Sequence, residues 1–308
     1  MIYIDGAQII LSNTYQSSVE GFMRHLKLTK DDSIQLMRKS VQLAKEARDK
    51  YVDMVRKANG ISETGLPLVL GSVGPYGAML HDGSEYNGSY TDKVSKEEIQ
   101  NWHRTRIEAL LAEGVNGLAV ETIPCQMEAE AVTEMILNDY PTAKFWISFQ
   151  CKDESHLAHG ENFANAAESI WNMVKQANAR DRIFGIGVNC LNPKVTNKII
   201  HRLRKKYQIN LFVCVNFYFK LVVPLFKSLH VLLNNKDLPP LIVYSNRGET
   251  FDLEKDEWVD QDKCVPLETY VPDWISLGAI IIGGCCRVYP ADILNIRKCI
   301  DSMGNNNI

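Results

Sequence analysis

The sequence lacks the marks of several large protein classes. No stretch approaches the roughly 18 uncharged apolar residues of a membrane-spanning helix, so no membrane partner is expected. The first residues show no signal-peptide pattern, and the expected compartment is the cytoplasm. Basic charge is not in excess: the net charge is -3, and lysine and arginine are spread along the chain, which sets nucleic acid aside. No break in composition marks a linker, and residues 1–308 read as a single domain. The eight cysteines, at Cys125, Cys151, Cys190, Cys214, Cys264, Cys285, Cys286 and Cys299, do not show the short regular spacing of a secreted disulfide scaffold. In a reducing compartment that leaves metal binding or packing.

What is present is a repeating unit of apolar strand and amphipathic helix. The last strand-like run, AIIIGGCCR at Ala279 to Arg287, ends in two glycines and two adjacent cysteines, so a buried strand delivers Cys285 and Cys286 where the chain leaves the core. FGIGVNC at Phe184 to Cys190 has the same design and adds a third sulfur. Neighbouring cysteines make an awkward disulfide but a workable pair of thiolates. A single such cysteine reads as a small buried hydrophobe. Two strand ends that offer three sulfurs point instead to zinc, which in catalytic sites takes three protein ligands and keeps a fourth position for substrate.

Strand-then-helix units begin near Gln8, Pro67, Gly114, Lys144, Phe184, Pro240 and Ala279. Such alternation predicts parallel strands joined by helices, either in an open doubly wound sheet or in an eight-fold barrel. The chemistry-bearing residues fall at the C-terminal ends of strands, and a barrel gathers such ends at one point, so the barrel is favoured. An amphipathic helix is expected from Ser18 to Asn59, a capping box at Ser95 and Glu98, and a site-covering loop at Asp82 to Tyr90. Glu121, at a strand end, reads either as a ligand for a substrate cation or as a carboxylate serving the dipole of the following helix. His156 and His159 lie in a polar, charged loop and are left out of any site.

These segments together resemble the homocysteine S-methyltransferases, zinc-dependent (β/α)8 barrels. The resemblance rests on GSVGPYGAMLHDGSEYNGSY (71–90), VETIPC (120–125), GVNC (187–190), YSNRGE (244–249) and GGCCR (283–287). It implies that Cys190, Cys285 and Cys286 hold Zn2+ and that Glu121 holds the amino group of homocysteine; Ser72, Tyr76 and Asn246 read either as polar groups of the pocket or as loop hydrogen bonds. The implied reaction transfers a methyl group from S-methylmethionine or S-adenosylmethionine to the homocysteine thiol, giving methionine. The glycine-rich loop is closer to members that use those donors than to the betaine-using branch. Selenocysteine as acceptor, or a non-catalytic barrel that binds zinc or thiols, are the alternatives.

Two departures from the family pattern accompany the resemblance. The strand that carries an Asp-Gly-Gly segment is absent, so the barrel is expected to lack its first β/α unit, which would leave two unpaired edges. About 25 residues near Val195 to Phe219 read as an insertion. They are either translated non-coding sequence or a helix and an extra apolar strand in the vacant position.

Overall fold

Alternating apolar residues with β-branched side chains form strands that bury both faces once helices cover one of them. The computed structural model describes residues 6–59, 66–207, 239–252, 255 and 257–305. Its main sheet has seven strands, each parallel to its neighbour and in chain order: β1 (Ile9–Leu11), β2 (Leu68–Val73), β3 (Gly117–Ile123), β4 (Phe145–Phe149), β5 (Ile183–Asn189), β6 (Leu241–Ser245) and, last, β9 (Ala279–Gly284). A small antiparallel hairpin, β7 (Thr250–Asp252) with β8 (Glu257–Val259), is set between the last two.

The sheet is strongly curled. Ile9, Leu70, Ala119, Trp146, Phe184, Ile242 and Ile281, one side chain from each strand, pack into a single apolar cluster. In a flat sheet with strands about 4.8 Å apart, the first and last of these would lie about 29 Å from each other. The alternate residues face outward. Leu118 and Val120 of β3, Phe145, Ile147 and Phe149 of β4 and Ile186 and Val188 of β5 meet the helices in the main core. Those helices are α4 (Lys96–Ala112), α5 (Gln126–Asp139) and α6 (Phe163–Gln176). One glycine permits the tight curl at β5: a Cβ on Gly187 would run into the carbonyl of Ile242 on β6.

Curling brings the inward side chains into layers, and their chemistry changes along the strands. Towards the C-terminal ends the inward residues are Ser72, Glu121, Ser148, Asn189 and Tyr244, one polar residue from each of β2 to β6, all buried. The apolar floor thus gives way to a polar mouth, as the strand ends require if chemistry is to occur there. Among the described residues β1 hydrogen-bonds only to β2 and β9 only to β6, so the curl is open between them. The residue contacts continue across that seam elsewhere, since a Cβ on Gly6 would touch Arg297 of the last helix, α9 (Pro290–Asn305).

Most expected elements form, with informative differences. The single helix expected from Ser18 to Asn59 is two, α1 (Val19–Leu26) and α2 (Lys30–Asn59). The break falls at Lys27, which is left-handed with φ 58°, and Thr29 then caps the second helix by accepting from the Asp32 amide. Neither glycine nor proline announces it. The capping box of α4 forms as expected, with the Ser95 hydroxyl accepting from the Glu98 amide and the Glu98 carboxylate accepting from the Ser95 amide. The first part of the expected insertion is helical, within α7 (Pro193–Tyr207), and its remainder lies outside the described residues. The short helices α3 (Tyr76–Leu80) and α8 (Val271–Ser276) complete the set used below.

Candidate active site

Three strand ends build the sulfur cluster. The chain leaves β5 at Cys190 in the left-handed conformation, φ 58°, and leaves β9 through Gly284, where a Cβ would collide with Val288. A non-glycine residue at positive φ costs of order 1–3 kcal/mol and persists where its surroundings over-determine it. Here they do. The Cys190 amide donates to the Tyr244 carbonyl at 3.1 Å, Cys285 to Ser245 at 2.8 Å and Arg247 to Cys286 at 3.1 Å, so the ends of β5, β6 and β9 are stitched together. Arg287, also left-handed at φ 64°, ion-pairs with the buried Glu249 at 2.9 Å and fixes the far side of the cysteine pair.

The result is that Cys190, Cys285 and Cys286 place their sulfurs within 4.8 Å of one another, with Cys190 and Cys286 3.3 Å apart. Tetrahedral zinc with Zn–S bonds of about 2.3 Å requires sulfurs about 3.8 Å apart. The trio therefore fits a zinc ion with small adjustments, and its donor set is one that zinc prefers. Cys286 loses its proton most readily of the three, because Cys190 and then Cys285 hydrogen-bond to its sulfur.

Beside the sulfurs lies a buried carboxylate. Glu121 is 6% exposed; Ser72 donates to one of its oxygens, and the Tyr244 hydroxyl donates to the other at 3.0 Å. Tyr244 is itself held by Ser148 at 2.5 Å and by the Trp146 indole N–H at 3.2 Å. Burial pushes the Glu121 carboxyl up to about 7, against the opposing pull of Ser72 and Tyr244. No cationic side chain bonds to it among the described residues, so an incoming cation would find a prepared but uncompensated acid. The residue after it, Thr122, is left-handed at φ 61° and is clamped by Asn189, which accepts from its amide at 2.8 Å and donates to its hydroxyl at 2.7 Å.

The loops after β1 and β2 form the roof. Arg106 of α4, 2% exposed, donates to the carbonyls of Thr14, Tyr15 and Gly74 and lies 4.3 Å above the Trp102 ring, tying those loops together. Glu128 of α5 accepts from the Tyr76 amide, the Tyr90 hydroxyl and His103 at Nε2, anchoring both ends of the glycine-rich loop. Tyr15 packs its ring against Gly74 and points its hydroxyl toward Thr122, where it meets no partner in hydrogen-bonding geometry.

Of the seven residues expected at the site, the structure gathers six. Cys190, Cys285, Cys286, Glu121 and Ser72 form the cluster just described. Asn246 adjoins it, its amide donating to Leu191 at 3.0 Å and its side-chain oxygen buried without a partner. Tyr76 is placed elsewhere. Its ring lies against Tyr90 at 5.5 Å and Trp102 at 5.1 Å, on the α4 side of the loop. Residues not anticipated are Tyr244, Ser148, Asn189 and Tyr15. The alternation in β4 was the available signal for Ser148; Tyr244 is inward only because of the curl.

A family model described as homocysteine S-methyltransferase matches residues 3–300. The chain is 51% identical over 299 residues to the betaine-homocysteine S-methyltransferase of Drosophila melanogaster, covering 97% of this chain and 81% of that protein. It is 36% identical over 296 residues to the homocysteine S-methyltransferase of Escherichia coli, covering 96% and 80%. Among solved structures it is similar to the metallated form of the homocysteine methyltransferase MmuM from Escherichia coli, with a TM-score of 0.70 at 32% identity over 96% of this chain and 82% of that one.

Proposed function

The chain belongs to the homocysteine S-methyltransferase family, and from that premise we propose that it moves a methyl group from a sulfonium donor, S-methylmethionine or S-adenosylmethionine, to the thiol of L-homocysteine. The observation that carries the reading is the meeting of three sulfurs from two separate strand ends beside a buried, unpaired carboxylate. On the same reading the seven strands are staves of an eight-stranded barrel, which the single inward cluster drawn from all of them supports.

Cys190, Cys285 and Cys286 would hold the zinc. Zinc bound there supplies a Lewis acid that lets a thiol near pKa 8.5 lose its proton at neutral pH while its sulfur stays nucleophilic. The rest falls to the chain. Glu121, oriented by Ser72 and Tyr244, takes the α-ammonium of homocysteine and so fixes where its sulfur lies. The unpartnered side-chain oxygen of Asn246 accepts a further N–H of the same substrate. The homocysteine sulfur then attacks the methyl carbon in line. A carbon–sulfur bond forms, the bond to the donor sulfur breaks, and the electron pair leaves with a neutral thioether. No side chain needs to act as general base, and most of the acceleration comes from alignment and from keeping water off the methyl carbon.

One specific observation favours a second donor. The relative from Drosophila melanogaster, 51% identical, is named for betaine, whose quaternary ammonium carries the same kind of charged methyl group. Zinc-loaded protein supplied with homocysteine and, in turn, S-methylmethionine, S-adenosylmethionine and glycine betaine tests both. Methionine formation with a sulfonium donor is expected; formation with betaine alone would transfer the assignment to the second donor, and formation with none would overturn the proposal.

A further inference from the structure

The two loops that carry the three cysteines are joined by a short strap. Residues 246–249 leave β6 and bond to both loops. On the Cys190 side, the Asn246 amide donates to the Leu191 carbonyl at 3.0 Å and the Gly248 carbonyl accepts from the Asn192 side chain at 3.0 Å. On the other side, the Arg247 amide donates to the Cys286 carbonyl at 3.1 Å and the Glu249 carboxylate accepts from Arg287 Nε at 2.9 Å. Gly248 lies at φ 111°, which other side chains rarely adopt, and this turns its carbonyl toward Asn192.

The far end of the strap joins two residues that each need the other. The Glu249 side chain is 1% exposed, and its second oxygen, Oε1, is buried without a hydrogen-bond partner. A carboxylate so withdrawn from water is costly unless it is paired, and Arg287 supplies the pair. Arg287 in turn stands where an arginine is not favoured. The Val288 amide donates to the Cys285 carbonyl at 3.2 Å and closes a four-residue turn, with Cys286 second and Arg287 third at φ 64°. A positive φ at the third position of such a turn favours glycine or asparagine. The backbone would be better served by glycine, and arginine there brings strain. What arginine adds is its guanidinium, and the guanidinium holds Glu249.

We infer that Glu249 and Arg287 are positioning residues for the metal: the pair pins the turn so that Cys286 meets Cys190, and it thereby sets how tightly the three thiolates hold zinc. This rests on the reading that Cys190, Cys285 and Cys286 are the zinc ligands. Because the pair carries no net charge, the three thiolates and the metal keep a formal negative charge, which leaves a bound homocysteine sulfur nucleophilic. Position and charge predict opposite signs when Glu249 is neutralised. A freed turn loosens zinc, whereas an unpaired guanidinium beside thiolates, acting through charge alone, would tighten it.

Competition with a chromophoric chelator measures the zinc affinity of the full chain, and cobalt put in place of zinc gives a sulfur-to-cobalt absorption band that reports ligand geometry. Glu249→Gln and Arg287→Gly are each expected to lower zinc affinity about tenfold to a hundredfold and to alter the band. Glycine suits the turn, so metal lost in Arg287→Gly does not come from backbone strain. Arg287→Lys, which keeps the charge, is expected to recover part of the affinity. Should either single variant fail to fold, the double variant Glu249→Gln with Arg287→Gly, which leaves no buried charge there, replaces it with the same expectation. Arg202→Ala, which breaks the exposed ion pair between α7 and Glu154, is expected to change nothing. Zinc affinity within about twofold of the parent in Arg287→Gly, tighter zinc in Glu249→Gln, or an equal loss in Arg202→Ala would overturn the inference. Neither homocysteine nor a methyl donor enters the measurement. A parent that holds zinc through the pair yet transfers no methyl group sinks the reaction alone, and an active parent whose variants keep their affinity sinks this inference alone.

Discussion

Tyr244→Phe isolates how the chain tunes its substrate carboxylate. The substitution keeps the ring that packs on Trp146 at 5.6 Å and removes only the hydroxyl that donates to Glu121. A hydrogen bond to a charged group contributes about 1.5–3 kcal/mol, and one pKa unit corresponds to about 1.4 kcal/mol, so the Glu121 carboxyl should rise by about one to two units. It begins near 7, where half the molecules carry the charge. In the variant roughly a tenth or fewer would carry it at that pH, and homocysteine binding, which needs the anion, should weaken about tenfold near neutrality. The sign follows from burial. A carboxyl whose folded pKa lies above its unfolded value contributes stability below the unfolded pKa and loses it as pH rises through the folded one. An arriving ammonium offsets that loss, so affinity climbs with pH. The assay is homocysteine binding between pH 6 and 9.5, with zinc content measured in parallel. The variant's rising limb should shift to higher pH and meet the parent's plateau. An unmoved limb, or equal weakening at every pH, would refute the reasoning.

Other perturbations read the scaffold. Gly187→Ala drives a Cβ into the Ile242 carbonyl, so a loss of more than about 3 kcal/mol is expected from denaturant melts, and a near-neutral result would contradict the close approach of β5 and β6. Lys27→Gly relieves a left-handed residue at an exposed helix end and should raise stability by about 1 kcal/mol, read as a higher melting temperature. His103 is fully buried against Glu128 of α5, with Arg106 on its own helix opposing its charge; burial lowers its pKa. Stability from a neutral buried histidine is present above its unfolded pKa near 6.5 and lost as pH falls below it. His103→Gln should therefore flatten the fall in melting temperature on the acid side, and an unchanged profile would exclude His103 as its source.

How far the sequence could be read follows from which signals are local. Cys190, Cys285 and Cys286 were legible because each ends an apolar run. Tyr244 was not, since its role depends on strands three apart in the sheet meeting across the curl. Tyr76 looked like a pocket residue by its place in the glycine-rich loop, but the loop turns at Pro75 and sends that ring toward Trp102. The division of the first long helix at Lys27 was also illegible, because a left-handed lysine leaves no compositional trace.

X-ray absorption at the zinc edge tests the central claim most directly. The purified chain should carry one zinc with three sulfur neighbours, losing a neighbour or the metal in Cys190→Ala and gaining one when homocysteine is added. A zinc with fewer than three sulfurs, or one indifferent to Cys190, would contradict the meeting of β5 and β9 on which the proposed chemistry depends.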